Sequence, residues 1–380
     1  MKRRSFLLGT SALTLSQILM GCAENNKPRL YVKLMKDSIP AQVVTQFSSG
    51  LKAQLKFSPA EQLKDLYDQL KARQQKADTK AEGWSRNLPI PQLNRNAAKA
   101  DLVTLGDAWI AQAIQQKLIQ PIDVTKMEQW SMLPQRWQEL VTRNNQGQVD
   151  PQGKVWGVPY RWGSIAIVYR QDKLKELGWT PKDWSDLWRE DLRGRISLLD
   201  QSRIVIGLVL KKLGKSLNTE NLDKVPNLEK ELFSLDQQVK FYSSTKYLEP
   251  LITGDTWLAV GWSSDIVQVM GRYPQLAAFI PQSGTALWSD VWVSPVGQNS
   301  ELLSYQWMDF CLTSKIAKEI SLLTKGNSPI PVQIAATDIQ TSLRNLLIID
   351  SEVLAKSEFL LPFSPKVDAQ YQTLFSKVNG

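Results

Sequence analysis

The chain contains no histidine in 380 residues. That absence excludes a Ser/His/Asp triad, a Cys/His dyad, an imidazole general base and every zinc site with an imidazole ligand. Cysteine is nearly absent as well. Cys22 and Cys311 are the only two, too few for a thiolate zinc site or an iron–sulfur cluster and unable to build a disulfide framework. Nor is there a phosphate loop, which needs two glycines with four residues between them, followed by Lys and Ser or Thr, so that backbone N–H groups can surround phosphates. The nearest approach, Gly207 to Gly214, Lys215 and Ser216, has six residues between its glycines and lies within an apolar helical run. G-x-G-x-x-G and G-x-S-x-G do not occur. No run of five or more like charges appears, so the clustered stripe that nucleic acid would require is missing. A modest basic excess remains: discounting Lys2, Arg3 and Arg4 of the leader takes three from the net charge of +9 and leaves +6. With acids and bases interspersed, this reads as a solvated surface.

What is present is an ordinary globular composition, 43% hydrophobic and 22% charged. The length suits two or three domains, or one two-lobed body. Residues 1–22, MKRRSFLLGTSALTLSQILMGC, have a basic start, a moderately apolar stretch and a small residue before cysteine, the pattern of a signal peptide. The apolar part, Phe6 to Met20, is shorter than the roughly 20 residues that span a bilayer. Arg3 and Arg4 followed by Ser5, Phe6 and Leu7 resemble a twin-arginine export signal, and Leu19, Met20, Gly21 and Cys22 resemble a bacterial lipobox. Removal of residues 1–21 would leave Cys22 lipidated, with residues 22–28 as a polar tether to the membrane. The simpler alternative is a soluble secreted protein in which Cys22 is incidental. Cys311, in an apolar helical stretch, is expected to be a buried thiol.

Along the mature chain, strand and helix alternate. RLYVKLM is a strand, a helix ends near Gly50, and AQLKFSP is a second strand. A helix then carries Leu63, Leu66, Tyr67 and Leu70 at helical spacing. ADLVTLGDAWIAQAIQQ repeats the theme with a turn at Gly106. A second α/β stretch begins near Gly157 with GVPYRWGSIAIVYR, and the pattern changes again near Ala286 with ALWSDVWVSPVG, after which helix dominates. This alternation indicates α/β architecture with a mainly parallel sheet.

The remaining chemical signal is aromatic residues beside carboxylates. There are 14 tryptophans, and Trp162, Trp262, Trp288 and Trp292 fall where loops are expected. Strand alternation puts Trp288, Asp290 and Trp292 on one face. An indole face with an adjacent carboxylate is a site for an organic cation, with cation–π attraction of about 0.5–2 kcal/mol and a charge-assisted hydrogen bond of about 1.5–3 kcal/mol. For any single Trp, core packing is the competing role.

From Leu30 to about residue 334 the chain resembles the periplasmic spermidine/putrescine-binding proteins that feed ABC importers. The stretches GVPYRWGSIAIVYR, WSDLWREDLRGRISLLDQSR, GDTWLAVGWSSD, ALWSDVWVSP and GNSPIP carry the resemblance. It implies a bilobal, type II-like periplasmic binding protein: two α/β lobes joined by crossing strands, with a ligand cleft between them. Lobe 1 would comprise residues 29–157 plus 288–330, and lobe 2 residues 158–287 plus 331–380, with crossings near Gly157 to Tyr160 and Trp288 to Val293. Trp262 and Trp288 match the family's cleft tryptophans, and Asp290 its aspartate that takes a ligand amine. Elsewhere the pattern is broken. Met35 and Ser38 stand where the family has Trp and Tyr, Gln201 and Ile204 replace acidic residues, and LGDAW replaces a tyrosine-bearing loop. A di- or tricationic polyamine needs carboxylates at both ends of the cleft, because an unpaired ammonium taken out of water costs several kcal/mol. Asp107 and Asp200, each on a loop after a strand, are the candidates for the second end, with helix N-capping as their alternative role.

With the lipobox supplying a membrane anchor, the resemblance implies a non-enzymatic, monomeric periplasmic protein that captures a polyamine and delivers it to an ABC permease in the inner membrane. No cofactor, metal or nucleic acid is expected. Two other readings stand beside it: the same fold holding a neutral or anionic solute as a binding module or sensor, and a periplasmic enzyme working with carboxylates.

Overall fold

The computed structural model describes residues 28–81, 100–298 and 302–379. The leader and Cys22 fall outside the described residues. In chain order the first strands are β1 (Arg29–Met35), β2 (Gln54–Ala60), β3 (Leu102–Gly106), β4 (Ile119–Gln120), β5 (Thr142–Arg143) and β6 (Lys154–Val155). They are followed by β7 (Val158–Arg170), β8 (Ile196–Leu198), β9 (Val239–Tyr242), β10 (Leu258–Trp262), β11 (Leu276–Phe279), β12 (Ala286–Pro295) and β13 (Glu358–Phe359).

The main sheet runs β2-β1-β3-β12-β7-β10-β8-β9, with β4 and β13 also pairing with β12 and β11 with β7. It contains two parallel blocks. β1 is parallel to β2 and β3, and β8 is parallel to β9 and β10. Between the blocks lie β7 and β12, antiparallel to each other and to their outer neighbours β10 and β3. Strands β3, β8 and most of β10 are fully buried, which explains their continuous apolar runs, as expected of parallel strands covered by helices on both faces. The spacing in the helix Leu63–Ala81 works as the sequence predicts, since Leu66, Tyr67 and Leu70 face the core. Cys311 is fully buried in the helix Leu302–Leu312.

The buried apolar side chains divide into two cores. The first gathers Leu30, Val32, Leu105, Trp137, Trp292 and Trp307, and the second Trp184, Leu198, Val205, Leu232, Val260 and Tyr371. β7 serves both, giving Val158, Tyr160 and Trp162 to the first core and Ile165 to Val168 to the second. β12 gives Ala286 to the second core and Leu287 and Val291 to Val293 to the first. A third passage occurs where β13 pairs with Ala286 and Leu287. On β7 the change of core therefore falls between Trp162 and Ile165, further along than the Gly157 to Tyr160 stretch. The Gly/Pro punctuation there marks only where the strand starts; packing decides where it changes core. The four tryptophans expected in loops are all on strands: Trp162 on β7, Trp262 at the end of β10, and Trp288 and Trp292 on β12. Among the described residues, no helix is long and apolar enough to cross a membrane.

Candidate functional site

The site is built on the two central strands. Asp290 lies directly opposite Arg161 in the β12–β7 register, and the register shifts at the next step so that Val291 faces Pro159. Directly opposed residues of an antiparallel pair project from the same face at close range. The guanidinium therefore reaches the carboxylate, with Nε donating to Asp290 Oδ2 at 2.9 Å and a terminal nitrogen to the same oxygen at 2.6 Å. The side chains of Arg161 and Asp290 are only 4% and 1% exposed. Arg161 Cζ also lies 5.5 Å from the centre of the Trp288 ring.

The open cation site expected at Asp290 is not found. Arg161 engages both of its parts, the indole and the carboxylate, because strand register places a basic residue opposite the acidic one. Burial by itself would lower the Arg161 pKa, but the adjacent Asp290 carboxylate, with help from Tyr160 and Asp37, raises it above its ordinary value. Burial pushes Asp290 upward and Arg161 pulls it back. Among the described residues, neither Asp290 Oδ1 nor Trp288 Nε1, both buried, has a hydrogen-bond partner.

Trp288 lies flat over a glycine. A Cβ on Gly163 would sit 2.4 Å from Trp288 Cζ2 and 2.6 Å from Ser263 Oγ, so only glycine lets backbone and indole approach this closely. Ser263 Oγ accepts the Ser164 N–H at 3.1 Å, joining β7 to the start of the helix Ser263–Met270. Trp262 is half-buried immediately before that helix and pairs with Ile165 of β7. Tyr247 Oη accepts the Trp262 N–H at 3.2 Å and donates to Asp265 Oδ2 at 2.7 Å. Burial raises the Asp265 pKa. The sequence expectations omit Asp265, although its signal is visible: it is the acidic residue of WSSD, which falls in the first turn of the helix that Trp262 precedes.

Trp292 belongs to the first core rather than to a cleft face. It is fully buried, stacked on Tyr160 at 4.2 Å and edge-on to Trp307 at 5.8 Å. Tyr160 is held in turn by a 3.0 Å hydrogen bond to Ser38 Oγ, so Ser38 supports the core where the resemblance has a tyrosine.

Asp107 is not a free loop carboxylate. It is buried at the turn after β3, where Oδ1 accepts the Ser289 N–H of β12 at 2.9 Å. Burial pushes its pKa up to about 6, opposed by the Ser289 hydrogen bond and by Arg143. Because this value lies above the ordinary 3.8, the folded state holds a proton that the unfolded chain has already released, and the contribution of Asp107 to stability is lost as pH rises from 3.8 through about 6. Asp107→Asn is expected to be more stable than the wild type above pH 6 and no different below about pH 4; urea unfolding at a series of pH values measures this. Asp200 is exposed after β8, with Oδ1 accepting from Asn379 Nδ2 at 2.6 Å. The structure thus brings Trp288, Asp290 and Asp107 together around β12 and places Trp262 across β7. It leaves Asp200 apart, with β7 and β10 between its strand and β12.

A family model of bacterial extracellular solute-binding proteins matches residues 97–356. The chain belongs to this family. Its members bind solutes and are not enzymes, which removes the carboxylate-enzyme reading. Among its relatives, the putrescine-binding periplasmic protein of Escherichia coli is 28% identical over 236 residues, covering 58% of this chain and 62% of the relative, just under two thirds of that protein. The spermidine/putrescine-binding periplasmic protein of Salmonella typhimurium is 23% identical over 316 residues, covering 83% of this chain and 81% of the relative. The solved spermidine/putrescine transporter substrate-binding protein of Streptococcus pneumoniae superimposes with a TM-score of 0.74 at 20% identity, covering 93% of this chain and 99% of that one. The solute-binding protein therefore has the bilobal periplasmic-binding-protein fold, in which α/β clefts open at the carboxyl ends of strands. Trp262 and Asp107 both lie at such ends, the first closing β10 and the second following β3.

Proposed function

We propose that this protein is the solute-binding component of an ABC importer: it captures a small aliphatic amine of the polyamine class between its two lobes and hands it to a permease in the inner membrane. The observation that carries this reading is that relatives aligned over up to 83% of the chain bind spermidine or putrescine. Two half-buried indoles, Trp262 and Trp288, flank β7 close to where it passes from one core to the other, and indole faces attract organic cations. Hinge closure of the lobes is the motion that would trap the solute. A lipid on Cys22 would keep the monomer at the membrane; two acyl chains make such a tether durable where one does not.

Titration calorimetry on residues 22–380 carrying Cys22→Ser tests the proposal with mono-, di- and triamines. Saturable heat with at least one amine is expected. Absence of heat with all of them overturns it.

A further inference from the structure

We infer that Arg161 sets the charge of the solute: it stands in for one ammonium at Trp288 and Asp290, so the preferred solute is an aliphatic amine with a single positive charge whose other end is a neutral amide. This rests on the amine-binding reading above and narrows it.

Arg161 is built into place. A Cβ on Gly326 would lie 2.7 Å from Arg161 Cγ and 2.8 Å from Cδ, so the aliphatic stem is pressed against the loop that follows the helix Ser314–Thr324. That loop is fastened to β7 by the reciprocal backbone pair of Trp162 and Asn327, at 2.9 and 2.7 Å. The guanidinium is therefore a fixed part of the site and not a surface side chain free to leave when a cation arrives.

A second ammonium reaching Trp288 would meet this guanidinium, whose contacting carboxylate is already engaged. Asp290 already holds Arg161, Asp107 holds the Ser289 N–H, and Asp37, whose charge already acts on Arg161, is exposed to screening water in the turn after β1. Like charges brought together in a dry site repel strongly.

The unsatisfied atoms argue in the same direction. Trp288 Nε1 is a donor without an acceptor and Asp290 Oδ1 an acceptor without a donor. An ammonium offers donors only, so it would leave the indole N–H unsatisfied. An amide end offers both a C=O for the indole and an N–H for Asp290, whereas a carboxylate has no donor for Asp290 Oδ1 and would bring a second negative charge against it. Across β7, Asp265 has no paired cationic side chain among the described residues, and it receives a hydroxyl hydrogen bond on each oxygen, from Tyr247 and Ser264. Its remaining lone pairs can take the single ammonium.

The decisive comparison uses three ligands built on a four-carbon chain whose second ends are cationic, neutral and anionic: putrescine, N-acetylputrescine and 4-aminobutyrate. They are titrated calorimetrically into residues 22–380 carrying Cys22→Ser, with and without Arg161→Gln, which keeps an N–H for Asp290 but removes the charge. The expected result is that the unaltered site binds N-acetylputrescine at least tenfold more tightly than putrescine and more tightly than 4-aminobutyrate, and that Arg161→Gln shifts the first ratio at least tenfold towards putrescine. Should Arg161→Gln fail to fold, Arg161→Lys, which keeps the positive charge, is expected to retain the discrimination against putrescine. Preference of the unaltered site for putrescine, or a ratio unmoved by Arg161→Gln, overturns the inference while leaving the amine reading intact. If no amine binds, the amine reading itself falls and takes the inference with it.

Discussion

Asp290→Asn is expected to destabilise the folded protein by about 3–5 kcal/mol, the usual cost of removing one partner from a buried ion pair. The cause is the partner left behind. Arg161 is fully buried against β12, and two of its N–H groups point at Asp290 Oδ2. Without the carboxylate, a guanidinium that cannot deprotonate remains in a dry interior. The double variant Asp290→Asn with Arg161→Met is expected to recover most of the loss, because replacing both members of a buried pair is far less costly than replacing one. Urea midpoints for the wild type, the two single variants and the double variant measure the coupling directly. A single variant as stable as the wild type would show that the pair is not held in the interior. If Asp290 were instead an open carboxylate awaiting a cation, its neutralisation would cost affinity and leave stability nearly unchanged, so the experiment also separates a structural Asp290 from a purely ligand-facing one.

Trp292→Ala is expected to cost a similar amount, about 3–5 kcal/mol, through the cavity that a deleted indole leaves in a packed core. Trp292 is fully buried, stacked on Tyr160 with an interplanar angle of 15° and edge-on to Trp307. Its loss also withdraws support from Tyr160, whose hydroxyl is tied to Ser38 and close to Thr104. The contrasting variant is Trp288→Ala. Trp288 is only partly buried and rests on Gly163, so its truncation is expected to reduce solute affinity more than stability. Paired urea and calorimetric titrations of the two variants distinguish them, and a Trp292→Ala protein with wild-type stability would remove Trp292 from the core.

Much of this is legible in the sequence. The buried strands announce themselves as apolar runs, and Leu66, Tyr67 and Leu70 reveal their helix face by spacing alone. The motif GWSSD contains Asp265 in plain view, and a carboxylate three residues beyond a tryptophan that precedes a helix can be anticipated from local sequence. The fates of the other candidate carboxylates could not be read in this way. Asp107, on a loop between a strand and a helix, fits a ligand residue and a structural anchor equally well; only the arrival of the Ser289 N–H from a strand 182 positions away decides between them.

By itself, the sequence determined that the protein is α/β, that it lacks imidazole chemistry, and that it resembles a family of solute-binding proteins, because composition, periodicity and contiguous motifs are local properties of the chain. Only the tertiary structure decided what Asp290 does. Its partner lies 129 residues away, and the two meet because the β7–β12 register sets them opposite each other immediately before the pairing shifts. Displacing one residue along a strand turns a side chain to the other face, so whether Arg161 neutralises the site is a property of strand alignment that no stretch of sequence contains.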